Sequence, residues 1–399
     1  MESLRKNATV LLAMLAALLI LDSFSVVAAF SKSPTVPLYR VGATSLFAEG
    51  GAPQYQKHEG ILQQSECVGK GSYLLTIDYK NDEGGKGGDD YEPGHVLALE
   101  IQPPSGDESN ESAQEEDEES SSAMTVMTEK TKKDLEKNDG WLRGPYTVSF
   151  GYGGVDTDDS NSNGKTNDGF KVLVKEVGYK SHVFATSKPG TPVLFGGKFK
   201  VPIAEGIVAA AGAVETDDEN RGTTKRVVMI SSGVGVGPCV GAVEELLQSP
   251  SDEETIASID LIASYRTREE ISMDSALEKL QTDSAASKKP DFRWKPVITS
   301  EGGRLSSNGP ESLREDYLRS SVSTVMNTHY HIIGNGQLVN EWKEGLAKAG
   351  VPSARVTVEA YFNHSEKPDP SAIDTIYEAI LGLKTTRTTE KAPEVAISS

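Results

Sequence analysis

The sequence predicts two folded domains of different class, an N-terminal antiparallel β-barrel followed by a doubly wound parallel sheet flanked by helices. Three observations carry this expectation. At 399 residues the chain exceeds the size, roughly 250 residues, at which a single core stops growing. Up to about residue 205 the apolar segments are short and bounded by glycine, proline or aspartate, as in an all-β domain. Beyond Lys225 strand-like and helix-like segments alternate, which argues for a parallel sheet. A hydrophobic fraction of 37%, with 13 Tyr, 10 Phe and 3 Trp, is enough to fill two cores and excludes a wholly disordered chain.

A leader precedes the first domain. Arg5 and Lys6 stand before an apolar run from Val10 to Leu21 that closes on Val27, Ala28 and Ala29, the layout of a secretory signal peptide over residues 1–29. Residues 30–54 carry Lys32, Arg40, serines and threonines with no acid before Glu49, the composition of a transit segment. The pair, with Phe30 just after the cut, resembles the bipartite plastid presequences of algae with secondary plastids. Secretion or an endomembrane lumen is the alternative, and the sequons Asn110-Glu111-Ser112 and Asn363-His364-Ser365 would suit it. With the leader removed, no stable membrane span is expected.

Five strands are expected in the barrel domain (55–205): Tyr73 to Tyr79, His95 to Ile101, Tyr146 to Phe150, Phe170 to Val177 and Val193 to Phe199. Between them lie polar stretches, 81–90, 104–139 and 153–169, which bury too little apolar surface to offset chain entropy and are expected to be disordered. Residues 107–139 hold twelve acids against four bases. A linker over 206–225 leads to the second domain (226–362). There the strands are Arg226 to Ser231, Ile259 to Ser264, Arg293 to Thr299 and His329 to Ile333, and the helices are Val240 to Gln248, Glu269 to Leu280, Pro310 to Met326 and Gln337 to Ala349. The tail (363–399) contains a short helix opened by Asp369 as N-cap and Pro370 at the first position.

Charge and cysteine usage remove several functions. Fifty-nine acids against 40 bases give a net charge of −19 without a basic run, so nucleic acid is excluded as a partner. Cys67 and Cys239 alone cannot build a disulfide framework, a Cys-rich zinc site or an iron–sulfur cluster. His58, His95, His182, His329, His331 and His364 show no ligand spacing, and neither a nucleophile elbow nor a carboxylate pair points to a hydrolase.

The sharpest local signal is Ser231-Ser232-Gly233-Val234-Gly235-Val236-Gly237-Pro238, directly between a strand and a helix. Glycines there admit a pyrophosphate close to the backbone, where free amides and the helix dipole hold its charge. With this loop the order of elements from Tyr73 to Phe362 resembles the ferredoxin–NADP reductase superfamily of FAD-binding FR-type oxidoreductases, which includes flavodoxin reductase-like and cytochrome b5 reductase-like enzymes. The resemblance implies an FAD-binding barrel and an NAD(P)-binding sheet domain. Arg143-Gly144-Pro145-Tyr146-Thr147 resembles the flavin motif, although Arg143 stands three residues before the tyrosine where the family has two. By resemblance Arg143 meets the flavin pyrophosphate, Tyr146 packs on the ring and Thr147 reaches its reactive edge. Gly178-Tyr179-Lys180-Ser181 resembles the turn that meets the FAD phosphates through Gly178, Lys180 and Ser181, and Pro189-Gly190 resembles the approach to the last barrel strand.

In the second domain the resemblance assigns Ser232, Gly233, Gly235, Gly237 and Pro238 to the coenzyme phosphates. Arg266 and Arg268 fall where the adenosine ribose lies; guanidinium forks suit a 2′-phosphate, so NADPH is favoured, with NADH an alternative. Ile332-Ile333-Gly334-Asn335-Gly336 resembles the turn beside the nicotinamide, with Ile333 at the family's cysteine position and Gly334, Asn335 and Gly336 lining the turn. Val358-Glu359-Ala360-Tyr361-Phe362 resembles the closing strand, whose Tyr361 can cover the flavin. The implied activity is hydride transfer from NADPH to FAD and onward to an unidentified electron acceptor, with a small redox protein among the candidates. The alternative is a catalytically impaired flavin- or nucleotide-binding module that acts as an interaction protein.

Overall fold

Period-two alternation of apolar side chains closes the first domain. In the computed structural model, which describes residues 55–80, 91–104, 127–153, 167–212, 226–248, 256–286, 290–304, 327–361 and 367–382, six antiparallel strands form a closed barrel. They are β1 (His58–Gly69), β2 (Ser72–Tyr79), β3 (Val96–Ile101), β4 (Leu142–Gly153), β5 (Asn167–Lys175) and β6 (Thr191–Gly196), in the spatial order β1-β2-β5-β4-β3-β6. Leu75, Ile77, Leu97, Val148 and Val172 point inward around Phe170 and Phe195, whose rings meet edge to face at 5.0 Å. Every expected barrel strand is present.

The sixth strand, β1, was not expected. Its sequence, HEGILQQSECVG, lacks alternation, and its register slips between Leu62 and Gln64 and between Cys67 and Gly69. It is a strand because it pairs with β2 on one side and β6 on the other, closing the barrel.

Two expectations of irregular chain are corrected. Within the acidic insert the helix α1 (Glu129–Lys137) forms. The Thr128 hydroxyl accepts from the Thr131 amide at 3.2 Å, Glu129 and Lys137 complement the helix dipole, and Leu135 packs onto the barrel core. After α2 (Tyr179–Thr186) and β6, the expected linker begins inside α3 (Ile203–Gly212), whose Ile203 and Ile207, four residues apart, are buried on one face. The remainder of these stretches and the leader lie outside the described residues, as do the expected helix 310–326 and Phe362.

The second domain is a five-stranded parallel sheet, as expected. It runs β7 (Arg226–Ser232), α4 (Val236–Gln248), β8 (Ser258–Tyr265), α5 (Asp274–Ala285), β9 (Asp291–Ile298), the single turn α6 (Thr299–Gly302), β10 (Thr328–Asn335), α7 (Gly336–Lys348), β11 (Val356–Tyr361) and α8 (Pro370–Leu381). The helix expected from Glu269 starts only at Asp274, because Met273 adopts a left-handed φ of 66° that interrupts the run. The α8 N-cap is as expected, Asp369 accepting from the Ser371 amide at 2.9 Å. The strand order β11-β10-β7-β8-β9 reverses direction between β7 and β10, and at such a reversal the crevice outside the strand ends is open to a ligand.

Barrel and sheet share a core in which Leu74 and Leu173 meet Val236, Val240 and Val243 of α4. Two glycines set how closely α4 approaches. A Cβ on Gly237 would stand 2.4 Å from Ser149 Oγ, and one on Gly241 would stand 1.9 Å from the Ser149 carbonyl oxygen. In an unconstrained helix Gly→Ala stabilises by about 1 kcal/mol. Gly241→Ala is expected to do the reverse here, lowering stability by about 1–3 kcal/mol through overpacking, as read from urea unfolding. A more stable variant would show that the contact between helix and barrel yields freely.

Candidate active site at the junction of barrel and sheet

β4 turns Val148 into the barrel and Thr147 outward, toward the sheet domain. The Thr147 hydroxyl donates to Glu359 Oε1 of β11 at 2.5 Å, and both residues are buried. Lys200, beyond β6, places its ammonium 3.8 Å from Glu359 Oε2 and donates to the Val358 carbonyl at 3.4 Å. On β11, Thr357, Glu359 and Tyr361 share one face. Burial raises the Tyr361 phenol well above its ordinary range, and the Glu359 charge adds to this. Burial also pushes up the Cys239 thiol, again with Glu359 contributing, so Cys239 is a packed, protonated residue of the shared core. The motif assigned no role to Glu359. Its signal was an acid inside the otherwise apolar strand Val-Thr-Val-Glu-Ala-Tyr, a residue type that is seldom buried without a partner.

On the barrel side Tyr146 stands edge to face with Phe184 at 5.2 Å. A Cβ on Gly144 would lie 3.0 Å from the Tyr146 ring and 3.1 Å from Lys180 Nζ, so the glycine admits both side chains. Lys180 donates to the Arg143 carbonyl at 2.9 Å; burial lowers its pKa and Asp134 of α1 opposes that. Arg143 faces Glu100 across the β3–β4 ladder, its Nε 3.5 Å from Oε1, with the guanidinium 5.0 Å from the centre of the Tyr55 ring. Arg143 Nη2 is buried without a partner, a donor free for an anionic ligand. Gly178 has open space where a side chain would stand. The Ser181 hydroxyl is engaged in its own turn, its Oγ accepting from the Val177 and Gly178 amides and donating to the Gly178 carbonyl.

On the sheet side Ser232 Oγ accepts from the Asn335 amide at 3.2 Å, joining the loops after β7 and β10 across the reversal point. Gly334 permits this, since a Cβ there would stand 2.1 Å from Ser232 Oγ. Gly233, at φ +54° and with open space beside it, faces the crevice, and exposed Asn335 caps α7 by accepting from the Leu338 amide. Gly235, Gly237 and Pro238 are buried, and Gly237 meets the barrel. Gly336 is buried at the start of α7. Ile333, near the end of β10, is fully buried and packs beneath Gly235. Arg266 is exposed at the end of β8, whereas Arg268 is bound in bidentate fashion by Glu301 at 2.6 and 2.7 Å. The donor set, with an unpaired guanidinium nitrogen and Lys180 on one side and the open Gly233 loop on the other, fits a dinucleotide at each.

Beside Glu359 on the same sheet face, His329 Nε2 and His331 Nδ1 both lie 2.9 Å from the Thr357 hydroxyl. Burial depresses His329 to about 4, with Arg355 adding to the effect, and His331 to about 3, with His329 and Lys200 adding. Among the described residues no group of three or more His, Cys, Asp or Glu side chains could hold a metal ion.

No protein-family model matches the chain, and neither does any curated protein. Solved structures do. Flavohemoglobin from Malassezia yamatoensis, with bound FAD and heme, is 14% identical at a TM-score of 0.47 over 76% of this chain and 60% of that one. The CS-b5R domains of human Ncb5or are 14% identical at 0.49, over 76% and 70% of the two chains. A ferredoxin NADP+ reductase from Neisseria gonorrhoeae, with bound FAD and NADP, is 15% identical at 0.47, over 77% and 100%. The chain thus spans about three fifths of the flavohemoglobin it resembles.

Two outcomes are expected from this geometry. Thr147→Val keeps the side-chain shape but strips the buried Glu359 of a donor, so stability should fall by about 1–3 kcal/mol in urea unfolding. The histidines give a pH dependence. The unfolded chain binds protons below about pH 6.5 that the folded pair refuses, so stability is lost as pH falls from there toward about 4 and about 3. His331→Gln should therefore lose about 2 kcal/mol less than the parent between pH 7.5 and pH 5. Parallel losses in the two proteins would contradict the assignment.

Proposed function

We propose that the protein is an FAD-dependent NAD(P)H oxidoreductase that passes electrons on to a separate acceptor. One observation carries the reading. The barrel strand bearing Tyr146 and Thr147 meets Glu359 of the sheet domain, beside the crevice framed by Ser232, Gly233 and Asn335. A flavin held by the barrel and a nicotinamide nucleotide held by the sheet would come together there.

Arg143 Nη2, Lys180 and Gly178 would hold the FAD phosphates, Tyr146 and Tyr361 would flank the ring, and Gly233, Asn335 and Arg266 would hold the coenzyme. FAD, when bound, supplies the conversion between two-electron transfer from NAD(P)H and electron delivery to the acceptor. The chain's own work is orientation and exclusion of water. The Thr147 hydroxyl proton is committed to Glu359 Oε1, which leaves Oγ1 an acceptor for an N–H group at the flavin edge. Buried Ile333 and the packed loop glycines form the dry floor of the crevice. An acidic chain suits an acceptor that does not depend on a basic docking face, and the leader supports a plastid address.

The full chain is expected to take up FAD without covalent attachment and turn yellow, and anaerobic NADPH should bleach it. Tyr146→Ala should weaken FAD roughly tenfold through lost aromatic contact. Protein that stays colourless in excess FAD would end the enzyme reading and leave the binding-module alternative, which the Glu100 hold on Arg143 favours.

A further inference from the structure

The geometry points to Glu301 as the residue that sets discrimination between NADPH and NADH, an inference that rests on the coenzyme reading above. β8 leaves the sheet beside the open loop of β7, with Ser232 paired to Ser264, so a nucleotide whose phosphates sit at Gly233 lays its adenosine ribose over the end of β8. Arg266 and Arg268 follow at that end. The turn α6 after β9 is tied to the same place, the Ser300 amide donating to the Arg266 carbonyl at 3.0 Å, and this delivers Glu301 to the exit of β8.

Glu301 there fills the Arg268 fork, Oε1 accepting from Nε and Oε2 from Nη2. A carboxylate occupies the fork in the two-oxygen geometry a phosphate would use. The surroundings add to its effect. Exposed Glu269 adds a second negative charge beside Arg268, while Glu270 is engaged by the Arg266 amide at 3.2 Å and by Lys175 at 3.6 Å. A dianionic 2′-phosphate must therefore displace Glu301, while a ribose 2′-hydroxyl can donate to it. The pair is solvent exposed, with side chains 69% and 48% accessible, and such pairs hold weakly and open readily. Glu301 thus flattens a preference that two arginines alone would make steep. The contact joins positions 33 residues apart on different strand exits, which no local motif reveals.

The test is calorimetric binding of 2′,5′-ADP and 5′-AMP to the full chain, a readout independent of flavin and of turnover. The parent should bind the two within about threefold of each other. Glu301→Gln should tighten 2′,5′-ADP roughly five- to tenfold and change 5′-AMP less than twofold, and adding Arg268→Ala to that variant should abolish the gain. No gain in Glu301→Gln, or a gain that survives loss of Arg268, overturns the inference and leaves the coenzyme reading standing. Failure of parent and variant alike to bind either nucleotide overturns the coenzyme reading, and the inference falls with it.

Discussion

The structure depends on the absence of two side chains. Gly237 and Gly241, one helical turn apart on α4, let the helix backbone rest on Ser149 of β4 at a separation that no other residue permits. Because Thr147 lies two residues from Ser149 on the same face of β4, that approach also fixes the reach of Thr147 toward β11. Burial of α4, the shared core of Leu74 and Leu173 with Val240 and Val243, and the Thr147–Glu359 contact are all consequences of one close approach. Glycine in a helix interior costs conformational entropy, and here that cost is offset by the surface the two domains remove from water.

The junction gathers polar groups that are costly to bury singly. Glu359 is tolerable because Thr147 donates to it and Lys200 stands near, and the histidine pair because both rings share the Thr357 hydroxyl and stay neutral. A polar seam of this kind specifies how strands and barrel must meet, since a shift would strip Glu359 of the Thr147 donor and Lys200 of its carboxylate. The two phosphate-type sites differ in kind. The barrel side offers cationic side chains with an unpaired nitrogen; the sheet side offers an open glycine loop and the start of a helix.

Much of this architecture was legible in the residues. Strands β2 to β10 were anticipated at nearly their observed places because each carries its own apolar run, β11 only through its resemblance to a closing strand, and α8 from Asp369 and Pro370. What failed was whatever depends on partners distant in the chain. β1 is a strand only because the barrel closes on it, and α1 is ordered through a Thr128 cap and a Leu135 contact that composition does not express. Gly237 and Pro238 fit a phosphate motif by position, yet helix packing turns them inward. Ile333 stands at the motif's cysteine position, and only the fold shows that its side chain is buried below Gly235. The Thr147–Glu359 contact spans 212 positions, so only the unusual acid in an apolar strand could have marked it.

The two cysteines acquire an unlooked-for use from their settings. Cys67 is exposed on β1 and Cys239 is buried on α4 in the shared core, its thiol held protonated. Thiol reagents attack the thiolate, so the native protein presents them with a single address. The second becomes available only when the core that α4 helps to build opens. The rate at which a second label is incorporated therefore clocks the opening of that core, and the chain carries its own gauge of how often its interior comes apart.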